Sequence, residues 1–262
     1  MTDQARSLDA FVALAVALAD LARPIIKGHF RTGTPISDKP DASPVTEADR
    51  AAEAAMRARI KDTFPDHGIL GEEFGPERTD ADFVWVLDPI DGTKAFVTGK
   101  PLFGTLIALT NQGRPIVGVI DQPILDERWL GAAGRVTTLN GAQISTRAAA
   151  ALEDAWLYAT SPDMFEGADA EAFARLKNHA KHTLYGADCY AYGLLAAGHT
   201  DMICEASLKA YDYCAHVPII EGAGGVITDW SGAALNIASD GRVLAAGDGK
   251  AHAAALEVLQ GS

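Results

Sequence analysis

The stretch that most narrows what this chain can fold into is Phe83-Val84-Trp85-Val86-Leu87, followed at once by Asp88-Pro89-Ile90-Asp91-Gly92-Thr93. An apolar run that ends on acids reads as a buried strand feeding a loop. Pro89 fixes one backbone angle, so the two aspartates are held stiffly. Gly92 lets backbone approach a ligand closely. Thr93 stands where a helix can begin, and backbone N–H groups at a helix start bind phosphate. Two readings stay open on spacing alone. In one, Asp88 and Asp91, joined by Glu72 and Asp212 from elsewhere, hold a hard cation through oxygen ligands. In the other, the pair merely caps a turn and a helix.

The rest of the chain frames this strand. Residues 5–28 carry Leu8, Phe11, Val12, Ala15, Leu18 and Leu21 at helical spacing. A polar loop is expected over residues 35–44. A second helix follows Thr46, a good N-cap, and runs through residues 51–59. Residues 105–110 and 115–120 flank Asn111-Gln112-Gly113, a hairpin signal. A further strand is expected at 127–131. The first half therefore reads as α+β, helices on a largely antiparallel sheet.

Beyond about residue 147 strands and helices alternate. Strands are expected at 155–159, 183–185, 202–206 and 225–228, with helices at 169–180, 188–197, 212–223 and 248–260. Such alternation favours an α/β layer. The expected division is 1–147 and 148–262, with no flexible linker.

The formal net charge of −13 sets such a surface against nucleic-acid backbones and anionic membranes. The three cysteines, Cys189, Cys204 and Cys214, make no CxxC pair and fit a reducing compartment. The apolar run from Ala10 to Ala19 is flanked by Asp9 and Asp20, too short to span a bilayer and unlike a signal peptide. A cytoplasmic protein is expected. None of the seven histidines forms a HExxH zinc motif.

In Gly71-Glu72-Glu73, Asp88 to Thr93, and Tyr211-Asp212 leading to Gly224-Gly225, the sequence resembles the inositol monophosphatase family of metal-dependent phosphatases. The likeness runs from about residue 8 to 258. The stretches Asp91 to Phe96, Gly99 to Leu109, Ile120 to Pro123, Ala187 to Gly193 and Leu208 to Asp212 look like its histidinol-phosphate phosphatase branch. Generic inositol monophosphatases usually carry a small neutral residue where Asp188 stands, and often Asn where Ala95 stands.

The resemblance implies a layered α/β/α/β/α fold, commonly a homodimer, with up to three Mg²⁺ ions. Glu72, Asp88 and the Ile90 carbonyl would hold one ion. Asp88, Asp91 and Asp212 would hold a second, and a third would sit near Glu72. Two nearby cations serve the attacking and leaving oxygens of an in-line displacement. Glu72 and the Thr93 hydroxyl would orient the attacking water. The amides of Gly92 and Thr93 would hold phosphate oxygens. Asp49 matches a supporting acid near the metal-bound waters, or is an exposed first-turn helix carboxylate. Lys39 matches a loop lysine that shields the site, or is a solvated lysine. Asp188 and Glu205 would suit the ammonium and imidazole of histidinol phosphate, although Asp188 also reads as an N-cap. The expected activity is hydrolysis of a small phosphate monoester, with histidinol phosphate foremost. The alternatives are inositol 1-phosphate, a nucleotide 3′-phosphate (Lys94 occurs in that branch), or a catalytically silent binding or scaffold protein.

Overall fold

Helix α1 (Asp3–His29) opens the chain, and it buries Phe11, Leu14, Ala15, Leu18, Ala22 and Ile26 along one stripe. That stripe is what a helical apolar period produces, and it needs a partner surface. The structure is a computed structural model describing residues 3–33, 36–38, 44–149 and 151–261. Strands β1 (Ile36–Asp38) and β2 (Pro44–Thr46) pair antiparallel where a loop alone was expected. The β-branched Ile36, Val45 and Thr46 favour extended backbone there. Lys39 lies outside the described residues. Helix α2 (Glu47–Thr63) then starts at Thr46, and Asp49 reaches back to accept from the Thr46 N–H at 2.8 Å and its hydroxyl at 2.5 Å. Ala48, Ala52, Met56 and Ile60 of α2 are buried with the α1 stripe.

Strands β3 (Gly68–Gly71), β4 (Gly75–Glu77) and β5 (Phe83–Asp91) come next. The short helix α3 (Thr93–Val97) separates β5 from β6 (Gly104–Asn111), β7 (Arg114–Gln122), β8 (Glu127–Ala132), β9 (Thr138–Leu139) and β10 (Ala142–Gln143). Among the described residues these strands form one sheet in the order β10-β9-β8-β7-β6-β5-β3-β4. Only the β3–β5 pair in it is parallel. The expected hairpin is β6–β7.

The second half supplies β11 (Trp156–Ala159), α4 (Gly167–His179), β12 (His182–Tyr185), α5 (Cys189–Ala196) and β13 (Met202–Glu205). It continues with α6 (Ala210–Tyr213), α7 (His216–Gly222), β14 (Val226–Thr228), β15 (Val243–Ala246) and α8 (Gly249–Gln260). The strand order is β12-β11-β13-β15-β14. Two departures from the sequence reading matter. The single helix expected at 212–223 is divided into α6 and α7, because Pro218 has no N–H to return to the carbonyl of residue 214. Strand β15 was not foreseen, yet it lies between β13 and β14 and pairs antiparallel with both, so the sheet is mixed.

Alternation along the strands sorts the side chains into layers. Trp85 and Leu87 face α1 and α2, while Val84 and Val86 face the other way. That second face shares a core with α5, α7 and the near side of the second sheet, including Ile203, Val243 and Ala245. Met202, Cys204, Leu244 and Ala246 point outward against α4 and α8. The architecture is thus helices, sheet, helices, sheet, helices, the layered arrangement expected. All three cysteines are free and buried. No described helix is long and apolar enough to cross a membrane.

Candidate active site

The site begins with an irregularity at the end of β5. Asp88 lies opposite Leu106 and Asp91 opposite Gly104, so β5 carries one more residue than β6 across this interval. Residues three apart on a regular strand point to opposite faces. The inserted residue of a bulge cancels that offset and turns both carboxylates to one side. Pro89 belongs there, since a bulge does not require its missing N–H. The distortion is tied down: the buried Thr105 hydroxyl donates to the Pro89 carbonyl at 2.8 Å, and the Ile90 N–H donates to Asp88 Oδ1 at 3.0 Å.

Asp212 arrives from the second half on α6, with Oδ2 accepting the Lys209 N–H at 2.6 Å. One oxygen each from Asp88, Asp91 and Asp212 lies within 4.8 Å of the other two. Glu72 follows β3, and its N–H donates to the Leu87 carbonyl at 3.1 Å, which continues the β3–β5 ladder. Its carboxylate borders the trio through Asp88 rather than belonging to it.

The electrostatics are those of crowded anions. Burial first, then the charges of Glu72, Asp91 and Asp212, hold the Asp88 carboxyl well above the usual carboxylate range. Asp91 is raised by burial and by Asp188 and Asp212, against the lowering effect of the Cys189 N–H. Asp212 is pushed up to about 7, chiefly by burial, with Glu72 and Glu205 adding to it. Several carboxylates sharing one poorly hydrated pocket cannot all ionise without a compensating cation. The donor set is entirely oxygen, the preference of a hard divalent ion. Asp49 adds a second sign of fit. It is fully buried, its Oδ1 has no protein hydrogen-bond partner, and it is raised by burial and by the Glu72 charge. It is therefore not the exposed helix carboxylate that was the alternative.

Gly92 has φ 88° and caps α3, a left-handed backbone that favours glycine. The Thr93 hydroxyl donates to the Ile90 carbonyl at 3.1 Å. Across from them, Asp188 precedes α5 with φ 46° and makes no cap bond of its own. The first N–H of that helix, on Cys189, goes to Asp91 Oδ2 at 2.6 Å. A Cβ on Gly92 would sit 3.1 Å from the Asp188 side chain, so the two loops touch at the glycine. The Asp188 carboxyl is raised to about 6 by burial and by Glu205, with Lys100 and Lys94 pulling the other way. Glu205 is buried and accepts from the Thr160 N–H at 2.7 Å and from the Tyr192 hydroxyl at 2.9 Å. Tyr192 in turn stacks on the buried His216 at 3.8 Å.

The structure thus gathers Asp88, Asp91 and Asp212 around one point, with Glu72 bordering them through Asp88, Asp49 next to Glu72, Asp188 against Gly92, and Glu205 close enough for its charge to raise Asp188 and Asp212. It also recruits groups the sequence reading missed: the Cys189 amide, Thr105, Thr160, Tyr192 and Lys100, and, behind Glu72, Glu53 and Arg57. For the last two a signal existed, because with Asp49 they recur every four residues on one helix. Backbone amides and distant hydroxyls leave no such mark.

Fold and site define a layered α/β protein with a carboxylate cluster able to hold a metal, set beside a tight glycine turn, an arrangement compatible with phosphate-ester chemistry. The comparisons agree. Residues 7–262 match the model of the inositol monophosphatase family. Bifunctional phosphatase IMPL2, chloroplastic, from Arabidopsis thaliana is 52% identical over 262 residues, covering 97% of this chain and 76% of that protein. A histidinol-phosphatase from Chlorobaculum parvum is 33% identical over 234 residues, covering 88% and 90%. A solved inositol monophosphatase from Zymomonas mobilis superposes with TM-score 0.89 at 48% identity, covering 96% of this chain and 98% of that one. The chain belongs to the inositol monophosphatase family, whose phosphatases act on small phosphate monoesters.

Proposed function

We propose that this protein is a Mg²⁺-dependent phosphatase whose main substrate is histidinol phosphate. One observation carries the choice of substrate: Asp188 sits against Gly92 beside the carboxylate cluster, and the charge of the buried Glu205 raises both the Asp188 and the Asp212 carboxyls. An ammonium group entering there offsets that repulsion. Relatives that bear the name histidinol-phosphatase support the reading.

Glu72, Asp88, Asp91, Asp212 and the Ile90 carbonyl would hold the metal. When bound, Mg²⁺ supplies the positive charge that neutralises these carboxylates and the substrate phosphate. The amides of Gly92 and Thr93 bind phosphate oxygens at the turn. The Thr93 hydroxyl donates to the Ile90 carbonyl, which leaves its oxygen free to accept a hydrogen bond from the attacking water. Glu72 orients the same water and takes its proton, with Asp49 supporting from behind. The water oxygen bonds to phosphorus as the ester oxygen leaves and takes up a proton. Positioning and charge do the work, with no covalent enzyme intermediate.

A second reading is inositol 1-phosphate hydrolysis. The likeness to the Zymomonas mobilis inositol monophosphatase favours it, as do Lys94 and Lys100, which already offset the Asp188 charge. Phosphate release from histidinol phosphate, inositol 1-phosphate and adenosine 3′,5′-bisphosphate separates the readings. Asp188→Ala and Glu205→Gln should each lower kcat/KM for histidinol phosphate roughly ten- to a hundred-fold, the loss of a charged hydrogen bond of about 1.5–3 kcal/mol. Inositol 1-phosphate, with neutral hydroxyls, should lose far less. Equal losses on both substrates would remove the physical basis of the histidinol-phosphate reading.

A further inference from the structure

Helix α2 carries a charged stripe that faces inward. Asp49, Glu53 and Arg57 follow one another at four-residue spacing, so all three lie on one face. Asp49 and Glu53 are fully buried and Arg57 is nearly so. A buried carboxylate is costly unless its oxygens are fully engaged, and those of Glu53 are. Oε2 accepts the Glu73 N–H at 2.8 Å, while Oε1 accepts the Phe74 N–H at 3.2 Å and Arg57 Nε at 2.7 Å. Arg57 also donates to the Gly75 carbonyl. The pair therefore grips residues 73 and 74, in the turn between β3 and β4 that follows directly on Glu72, and Gly75 at the start of β4. Gly71, on the other side of Glu72, closes the arrangement: a Cβ there would collide with Glu53 Oε1. Glu72 is thus held from below by its own ladder bond to Leu87 and from behind by a carboxylate packed against its flanking backbone.

Resting on the reading of Glu72 as a metal ligand, we infer that Glu53, supported by Arg57, is a positioning residue that sets the Glu72 carboxylate for Mg²⁺. It touches neither metal nor substrate. Its means is geometric: past the Glu72 ladder bond no helix or strand fixes residues 73 and 74, so their amides are ordered by a charged acceptor. A bonded pair of this kind is specified by both partners, and breaking one half leaves the other charge buried.

The test measures Mg²⁺ binding to metal-free protein by calorimetry, alongside thermal unfolding without metal. Glu53→Asp keeps the charge opposite Arg57 but draws the oxygens back from the two amides. Glu53→Gln/Arg57→Met removes both charges, so no unpaired ion is left. Both variants should bind Mg²⁺ at least tenfold more weakly than wild type, while their metal-free unfolding temperatures stay within a few degrees of it. Glu72→Gln, which removes the ligand itself, is the reference for full loss. Wild-type affinity in Glu53→Asp would overturn the positioning role, as would affinity in the double variant that rises and falls with stability alone. Equal Mg²⁺ binding by wild type and Glu72→Gln would instead overturn the metal reading on which it rests.

Discussion

Asp212→Asn should have opposite effects on stability with and without metal. In the folded protein the Asp212 carboxyl titrates at about 7, against 3.8 for the ordinary group. A folded-state value raised in this way means that the native protein binds the proton more tightly than the unfolded chain. The stability it confers is present at low pH and lost as pH rises from about 4 through about 7. Above that range the full shift would cost roughly 4 kcal/mol at 1.36 kcal/mol per unit. The group keeps some contact with solvent and shares its proton with neighbours, so about 2 kcal/mol is the working figure. Asparagine removes the charge while its carbonyl still accepts the Lys209 N–H. At pH 8 without metal, the variant should therefore unfold roughly 4–8 °C above wild type, at about 2–4 °C per kcal/mol for a chain of this size. Only below about pH 4, where the carboxyl is protonated in the folded and the unfolded chain alike, should the two nearly coincide. Saturating Mg²⁺ should reverse the order, because the wild-type charge then has its counter-ion and the amide is a poor substitute. Differential scanning calorimetry in chelator, then in Mg²⁺, in both pH ranges makes the comparison. A variant no more stable than wild type at pH 8 in chelator would refute the argument from crowded charge. Equal Mg²⁺ shifts in both proteins would refute the placement of Asp212 at the metal.

Two further outcomes follow from the same geometry. Asp91→Asn should keep the bond from the Cys189 N–H and remain folded, yet lose more than tenfold in turnover, a barrier change above about 1.4 kcal/mol. Phosphate-release kinetics in excess Mg²⁺ would show this, and a smaller loss would remove Asp91 from the ligand set. His67 stacks on Phe64 at 4.5 Å and accepts the Trp85 indole N–H at 3.1 Å, and burial holds its pKa below 6.5. A lowered histidine contributes stability above pH 6.5 that is lost as pH falls toward its folded value. The unfolding temperature of wild type should accordingly fall relative to His67→Leu between pH 7.5 and 5.5, and parallel profiles would refute the assignment.

Much of the frame was legible from residue order. The apolar stripe of residues 5–28, the Thr46 cap, the hairpin around Asn111-Gln112-Gly113 and the alternation after residue 147 are local patterns. Local patterns reflect periods of 3.6 and 2 that any folded chain must obey. The motif around Asp88 and Asp91, with Glu72 and Asp212, likewise marks itself by residue type and order. Strand β15 and the division between α6 and α7 were less legible. The first is a short run of small apolar residues, and the second depends on which carbonyl Pro218 leaves without a donor.

By itself, then, the sequence determined the layered α/β class and the family, and it singled out the three aspartates, Asp88, Asp91 and Asp212, that the fold brings together. Only the tertiary structure decided how they act together. The bulge at Asp88–Asp91 depends on pairing with β6, and it alone turns two aspartates of opposite parity to one side. The α5 amide on Asp91, the buried Glu53–Arg57 grip behind Glu72, and the contact of Asp188 with Gly92 join segments far apart in the chain. Charge acts through distance in space, and desolvation through the packing of every neighbouring layer. Neither quantity is written in the spacing of residues along the chain.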